Sequence, residues 1–307
     1  MNLRPFGASG LCVSELGLGC ASYWGLPRFE ETSAVALVHE ALDLGVTFFD
    51  TGAGYSRGEA EPRLGRALRG RMRDELIIST KAGTRFDGGR LVRDFSLGAI
   101  EASVEASRRR LGLEQIPLLQ LHGPSMQELA GGLMDGLEEM RRRGWFRLLG
   151  VNSFDPAVAA LALRLPGVDA VMVDYNLLRP ERHALISEGQ AMGKAVLAGM
   201  PLAMGHGLGA FAQVRGLQDI WYVLRALKNH RAEMRRAQAF AFMPRAAQER
   251  GLAPAQVALA HVLTHPGVSC AVFGTTRISH LRSNLAASGL QLDDELRAQI
   301  AQAQALL

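Results

Sequence analysis

Lysine is the scarcest charged residue in this chain. Of 34 basic residues only Lys81, Lys194 and Lys228 are lysine, which leaves 31 arginines. Where arginine is the rule, a retained lysine marks a place that favours a compact ammonium over a broad guanidinium. Cysteine is equally sparse: Cys12, Cys20 and Cys270 make an odd count with no CxxC spacing. That argues against a disulfide framework and against a thiolate metal site. No apolar run approaches the roughly 18 residues needed to span a bilayer, so no membrane partner is expected. The start, Met1-Asn2-Leu3-Arg4-Pro5-Phe6, lacks the charged beginning and long apolar stretch of a signal peptide, and the cytoplasm is the expected compartment.

What is present has the balance of a soluble globular protein, with 48% hydrophobic and 21% charged residues. The formal charge of +4 raises nucleic acid as a partner. However, Arg108–Arg110 and Arg141–Arg143 fall at the ends of predicted helices, where cations complement the helix dipole. Neither cluster is interleaved with stacking aromatics, so nucleic acid is not expected. Oligomeric state is not legible.

Short apolar runs alternate with amphipathic segments rich in Ala, Leu, Arg and Glu. Strands are expected at Leu16–Gly19, Phe48–Asp50, Leu76–Thr80, Leu118–His122, Leu148–Asn152, Ala170–Asp174, Ala195–Met200 and Cys270–Phe273. Helices are expected near 32–44, 59–68, 96–111, 125–143, 155–165, 179–192, 254–265 and 278–287, with a tail helix from about 293. Ser96 is a candidate cap, Asp155-Pro156 is a cap followed by proline at the first helical position, and Gly144, Gly193 and Gly251 sit where helices should stop. Eight strands alternating with helices over 307 residues imply a closed (β/α)8 TIM barrel forming a single domain, 1–307. An open doubly wound sheet is the alternative, but no Gly-rich dinucleotide fingerprint follows the first strand. Residues 1–15 read as a hairpin closing the barrel bottom. The stretch 201–253, after the seventh strand, reads as a long insert with its own helix near 219–243, of the kind that forms lids or specificity loops.

Polar residues punctuate the strand ends. Asp50 follows Val46-Thr47-Phe48-Phe49, Tyr55 comes five residues later, Lys81 follows Leu76–Thr80, and His122 closes Leu118–Leu121. Singly each has an ordinary explanation: a turn cap, a half-buried ring, a solvated terminus, a core histidine. Together, at successive strand ends of one barrel, they imply one shared site. Hydride addition to a carbonyl leaves an alkoxide that needs a proton, and Tyr55 is the candidate general acid. Lys81 is expected to lower the Tyr55 pKa, Asp50 to hold Lys81 charged, and His122 to donate to the carbonyl oxygen. One histidine with a tyrosine and a lysine is no zinc ligand set, so no metal is expected.

These segments resemble the aldo-keto reductase superfamily. Asp50-Thr51-Gly52-Ala53-Gly54-Tyr55, continuing through Glu59 and Glu61 to Leu64–Leu68, is similar to its first signature. Ser79-Thr80-Lys81 and Leu121-His122-Gly123-Pro124 resemble the stretches carrying its lysine and histidine. Gly150–Phe154, with Asn152 and Ser153, sits where the family places a carboxamide-binding loop. Gly274-Thr275-Thr276-Arg277, followed by His280 and Asn284, resembles the loop and helix holding the adenosine phosphates. The resemblance runs from about residue 3 to 290 and implies a (β/α) barrel, NADP(H) binding and reversible carbonyl reduction. Independently, a Gly-Thr-Thr loop entering a helix offers N–H groups and hydroxyls to phosphate, and Arg277 suits a 2′-phosphate. NADPH is therefore the expected cofactor, with NADH possible.

The departures fall around the nicotinamide. The family usually reads Ser-Asn where this chain has Asn152-Ser153, and glutamine where it has Met172. Gly199, in Ala198-Gly199-Met200-Pro201-Leu202, stands where many members stack an aromatic, and Ser283 replaces an acidic residue before Asn284. This reads as a rebuilt pocket contacting Met172, Gly199, Pro201 and Leu202. Trp24, Trp221 and Tyr222 are candidates for an apolar substrate mouth. The expected substrate is a small carbonyl compound. An NAD(P)-dependent sugar dehydrogenase is the alternative, and a cofactor-binding regulatory protein similar to the potassium-channel-associated members is the remote one.

Overall fold

The computed structural model describes residues 1–21, 24–203 and 231–307. Strand β1 (Leu3–Pro5) pairs antiparallel with β2 (Cys12–Ser14), forming the expected hairpin. Next come β3 (Leu16–Gly19), β4 (Phe48–Asp50) and β5 (Ile77–Ala82), and then a second hairpin, β6 (Thr84–Asp87) with β7 (Arg90–Arg93). The remaining strands are β8 (Ile116–His122), β9 (Phe146–Asn152), β10 (Ala170–Asp174), β11 (Ala195–Gly199) and β12 (Val268–Phe273). In parallel register β3-β4-β5-β8-β9-β10-β11-β12 closes back on β3 as a (β/α)8 barrel.

Strand alternation builds two apolar layers. Phe48, Ile77, Leu118 and Leu148 point inward, while their neighbours Phe49, Ile78, Leu119 and Leu149 pack outward against the helices. The first hairpin plugs the base, because Phe6 and Val13 join the inward layer and the Phe6 and Phe48 rings stack at 6.1 Å. Arg4 anchors it by pairing with Glu15 at 2.8 Å and donating to the carbonyls of Leu263, His265 and Val268.

Several expected boundaries move. Lys81 lies within β5 rather than just beyond it, and the strand before the pocket floor stops at Gly199. The helix expected over 125–143 divides into Met126–Ala130 and Leu133–Arg142, because two adjacent glycines at 131–132 are poor helix formers. The segment 179–192 is helical only from His183, after a tight turn over Pro180–Arg182. Asp155 caps its helix by accepting from the Ala157 N–H, whereas the Ser96 hydroxyl donates to Asp94 and leaves its helix without a side-chain cap. Of the insert, Arg231–Gln238 and Met243–Glu249 are helical, and 204–230 lies outside the described residues.

Candidate active site

All four chemistry-bearing residues stand at the C-terminal mouth of the barrel. Asp50 ends β4, Lys81 lies near the end of β5 and His122 ends β8. Tyr55 opens a tight turn five residues beyond Asp50, in which Ser56 and Arg57 both adopt left-handed φ, 51° and 61°. Two consecutive non-glycine residues in that region cost about 1–3 kcal/mol each and persist only where surroundings hold them. Here the Gly25 N–H donates to Ser56 Oγ at 2.9 Å, and Leu91 of the second hairpin packs over Gly54.

Lys81 is the best-held group in the site. It is 1% exposed, and its Nζ donates to Asp50 Oδ2 at 2.5 Å and to the Thr51 carbonyl at 2.8 Å. Asp50 Oδ1 accepts from Ser79 Oγ at 2.9 Å and Gln120 Nε2 at 3.1 Å. The glycine at 150 makes room for Gln120, since a Cβ there would lie 2.9 Å from its Cγ. Burial is the largest single influence and disfavours the ammonium, but the charges and hydrogen bonds of Asp50 and Tyr55 together outweigh it, and the Lys81 pKa is raised. Lys81 Nζ lies 4.7 Å from the Tyr55 ring centroid.

Tyr55 departs from expectation. Lys81 does pull its pKa down, but burial pushes it up by more and Asp50 adds to the rise, so the phenol titrates above its ordinary value. The sequence names the neighbouring charge but not the desolvation that overrides it. His122 meets Tyr55 edge-on, with ring centroids 5.6 Å apart, and its Nδ1 lies 2.5 Å from Thr84 Oγ1. Burial first and the Lys81 charge second push the imidazole down to about 4, so it is neutral at physiological pH.

A cavity of about 650 Å³ extends from this cluster along the barrel mouth. Asp50, Tyr55, His122 and Trp24 line one end. Asn152, Met172, Gly199, Pro201 and Leu202 line its middle, and Gly274, Thr275, Thr276, Arg277 and His280 the far end. Three candidates stand behind the wall rather than in it: Lys81, Ser153 and Asn284 are buried and do not line the cavity. Trp221 and Tyr222 lie outside the described residues. Sequence reading missed Phe154, Met200, Val272 and Phe273 in the lining, and Ser79, Thr84 and Gln120 in the polar network. Only Thr84 had a local signal: Asp87-Gly88-Gly89-Arg90 is a hairpin turn between the strands whose first residue it is.

The middle of the cavity is occupied in an unusual way. Met172 lies across Gly199, where a Cβ would sit 3.3 Å from its Cγ, and Asn152 Nδ2 donates to Met172 Sδ at 2.7 Å. At the far end, Gly274–Thr276 leads into the helix Ile278–Leu285, and the exposed Arg277 engages no carboxylate among the described residues. Among those residues no group of three or more His, Cys, Asp or Glu could hold a metal, and no helix is long and apolar enough to cross a membrane.

Comparison with known proteins gives the chain's family. A family model described as the Aldo/keto reductase family matches residues 15–305. The uncharacterized oxidoreductase YqkF of Bacillus subtilis (strain 168) is 28% identical over 97% of this chain and 95% of its own. A D-threo-aldose 1-dehydrogenase of a Pseudomonas species is 33% identical over 56% of this chain and 60% of its own. Among solved structures, the aldo-keto reductase AKR11C1 from Bacillus halodurans, in its holo form, superposes with a TM-score of 0.76 at 29% identity, covering 99% of this chain and 96% of that one.

Proposed function

The chain belongs to the aldo/keto reductase family of NAD(P)H-dependent oxidoreductases, and within it we propose that the protein reduces an aldehyde or ketone to an alcohol with NADPH. The observation that carries this reading is the buried Lys81–Asp50 pair set against Tyr55, with a neutral His122 beside it at the head of a long cavity.

The residues present fit a nicotinamide dinucleotide. The start of the Ile278–Leu285 helix with Thr275 and Thr276 offers donors to phosphate, and the exposed guanidinium of Arg277, which pairs with no carboxylate among the described residues, suits the extra 2′-phosphate of NADPH. Asn152 Oδ1, which accepts no hydrogen bond among the described residues, would serve a carboxamide, while its amide nitrogen donates to Met172. When bound, the nucleotide supplies the hydride.

The remaining chemistry belongs to the chain. Tyr55 would donate its phenolic proton to the substrate oxygen, and its raised pKa keeps that proton in place at neutral pH. Lys81 would then stabilise the tyrosinate left behind, with Asp50 holding the ammonium charged and oriented. His122, being neutral, would give an N–H to the carbonyl oxygen without placing a second cation beside Lys81. Trp24 and Phe154 provide apolar walls that limit water.

The decisive experiment is nicotinamide absorbance decay with NADPH and a reactive aromatic aldehyde, run beside Tyr55→Phe. Decay in the wild type and none in the variant supports the reading, while full activity in the variant removes Tyr55 as the acid. A second reading, oxidation of an aldose with NAD(P), draws on the D-threo-aldose 1-dehydrogenase relative and on Gly199 in place of an aromatic. Turnover of aldoses with NAD, set against aldehydes with NADPH, separates the two.

A further inference from the structure

We infer that Thr84 is a positioning residue: its hydroxyl donates to Nδ1 of His122 and holds the imidazole in the tautomer whose Nε2–H faces the cavity. The inference rests on the carbonyl-reduction reading for its purpose, but its geometry stands apart from it.

A hydroxyl can donate or accept, and a neutral imidazole has one nitrogen of each kind. The 2.5 Å contact between Thr84 Oγ1 and His122 Nδ1 is therefore compatible with two proton arrangements, which have opposite consequences. If Nδ1 carried the proton, the buried Thr84 hydroxyl would accept from it and its own proton would have no acceptor among the described residues. A buried unpaired donor is costly. Nε2 would also turn a lone pair toward the place a carbonyl oxygen must occupy. If instead Thr84 donates, its proton and Nδ1 satisfy each other, and Nε2–H is left for the cavity that His122 lines. The imidazole is neutral in the folded protein, so the choice between tautomers is a real one.

Thr84 is also placed by more than its own contact. Gly83, at φ 93°, turns the chain out of β5 beneath the Phe95 ring, leaving no space for a side chain. Thr84 then pairs with Arg93 across the second hairpin, whose guanidinium packs on Phe95, donates to the Gly123 carbonyl and pairs with Glu128. The same arginine thus ties the hairpin bearing Thr84 to the loop leaving His122, and the two partners cannot drift apart independently.

The test has two readouts. Long-range 1H–15N spectra of protein labelled at its eight histidines are recorded with NADP+ bound, with His122→Gln assigning the ring. The expected result is His122 protonated at Nε2 in the wild type and in Thr84→Ser, with Thr84→Val populating the other tautomer. Kinetically, Thr84→Val should lower kcat by about tenfold or more with KM for NADPH unchanged, and Thr84→Ser should restore it. A wild-type ring protonated at Nδ1 overturns the proposal, as does a Thr84→Val protein with wild-type kcat and tautomer. The wild-type spectrum decides even if the valine variant does not fold. It needs no turnover, so a protein inert toward carbonyls would refute the functional reading while leaving the hydroxyl–imidazole lock to be scored separately.

Discussion

The two ends of the cavity are built on different principles. At the Tyr55 end the charged groups and the imidazole are already held by neighbours: Lys81 by Asp50 and the Thr51 carbonyl, Asp50 by Ser79 and Gln120, His122 by Thr84. At the Arg277 end Gly274, Thr276, Arg277 and His280 are exposed, and the half-buried Thr275 hydroxyl bonds only to the Arg277 backbone among the described residues, accepting from its N–H at 3.2 Å and donating to its carbonyl at 3.4 Å. Proton transfer needs fixed distances and a low dielectric, so its machinery is set by barrel strands before any ligand arrives. Recognition of a phosphate tail tolerates solvent, and a loop with a helix start suffices.

Breaking the Tyr55 end should give the largest effect. Tyr55→Phe is expected to lower turnover by about 10³-fold with NADPH affinity, followed by fluorescence titration, within twofold of wild type. Retained turnover would mean that another group supplies the proton. Next in size is the buried ion pair. Lys81→Met leaves the Asp50 carboxylate without its cation and should cost about 3–5 kcal/mol in a denaturant melt. Adding Asp50→Asn to Lys81→Met should regain much of that stability but none of the turnover. A double variant no more stable than the single one would show that packing, not charge, holds the site.

A smaller effect follows from His122. Its pKa is lowered from 6.5 to about 4, so the unfolded chain binds the proton more readily. The stabilisation is present above about pH 6.5 and is lost as the pH falls toward 4, by up to about 3 kcal/mol. His261, also pushed down to about 4 by burial, titrates in the same window. The diagnostic is therefore the difference: stability curves of His122→Gln should fall less steeply between pH 6.5 and 4 than those of the wild type. The smallest effect sharpens the contrast from the other end. Arg277→Ala should raise KM for NADPH by about tenfold, with KM for NADH and kcat changed less than twofold. An equal loss with both nucleotides would remove Arg277 from the 2′-phosphate.

The legible part of the site was what interrupts a pattern. Asp50 and His122 break apolar strands, Lys81 is one of only three lysines among 34 basic residues, and the glycine-rich turn after Asp50 delivers Tyr55. The supporting residues had no such mark. Ser79 and Gln120 read as ordinary polar positions inside strands, and their roles depend on β4, β5 and β8 lying side by side. The absence of a stacking aromatic at Gly199 was visible in the chain. That Met172 fills the space and takes the Asn152 amide was not, because those residues meet only across neighbouring strands.

The order and periodicity of the residues by themselves determined the barrel, its hairpin base and the gathering of Asp50, Tyr55, Lys81 and His122 at one rim. These follow from local patterning, since alternation of apolar runs with amphipathic helices leaves few other ways to bury both faces of a parallel sheet. The tertiary structure alone decided the protonation states. Neighbouring charge would have lowered the Tyr55 pKa, yet burial raises it, and burial also keeps His122 neutral. Desolvation depends on everything packed around a group, and no short stretch of sequence encodes it.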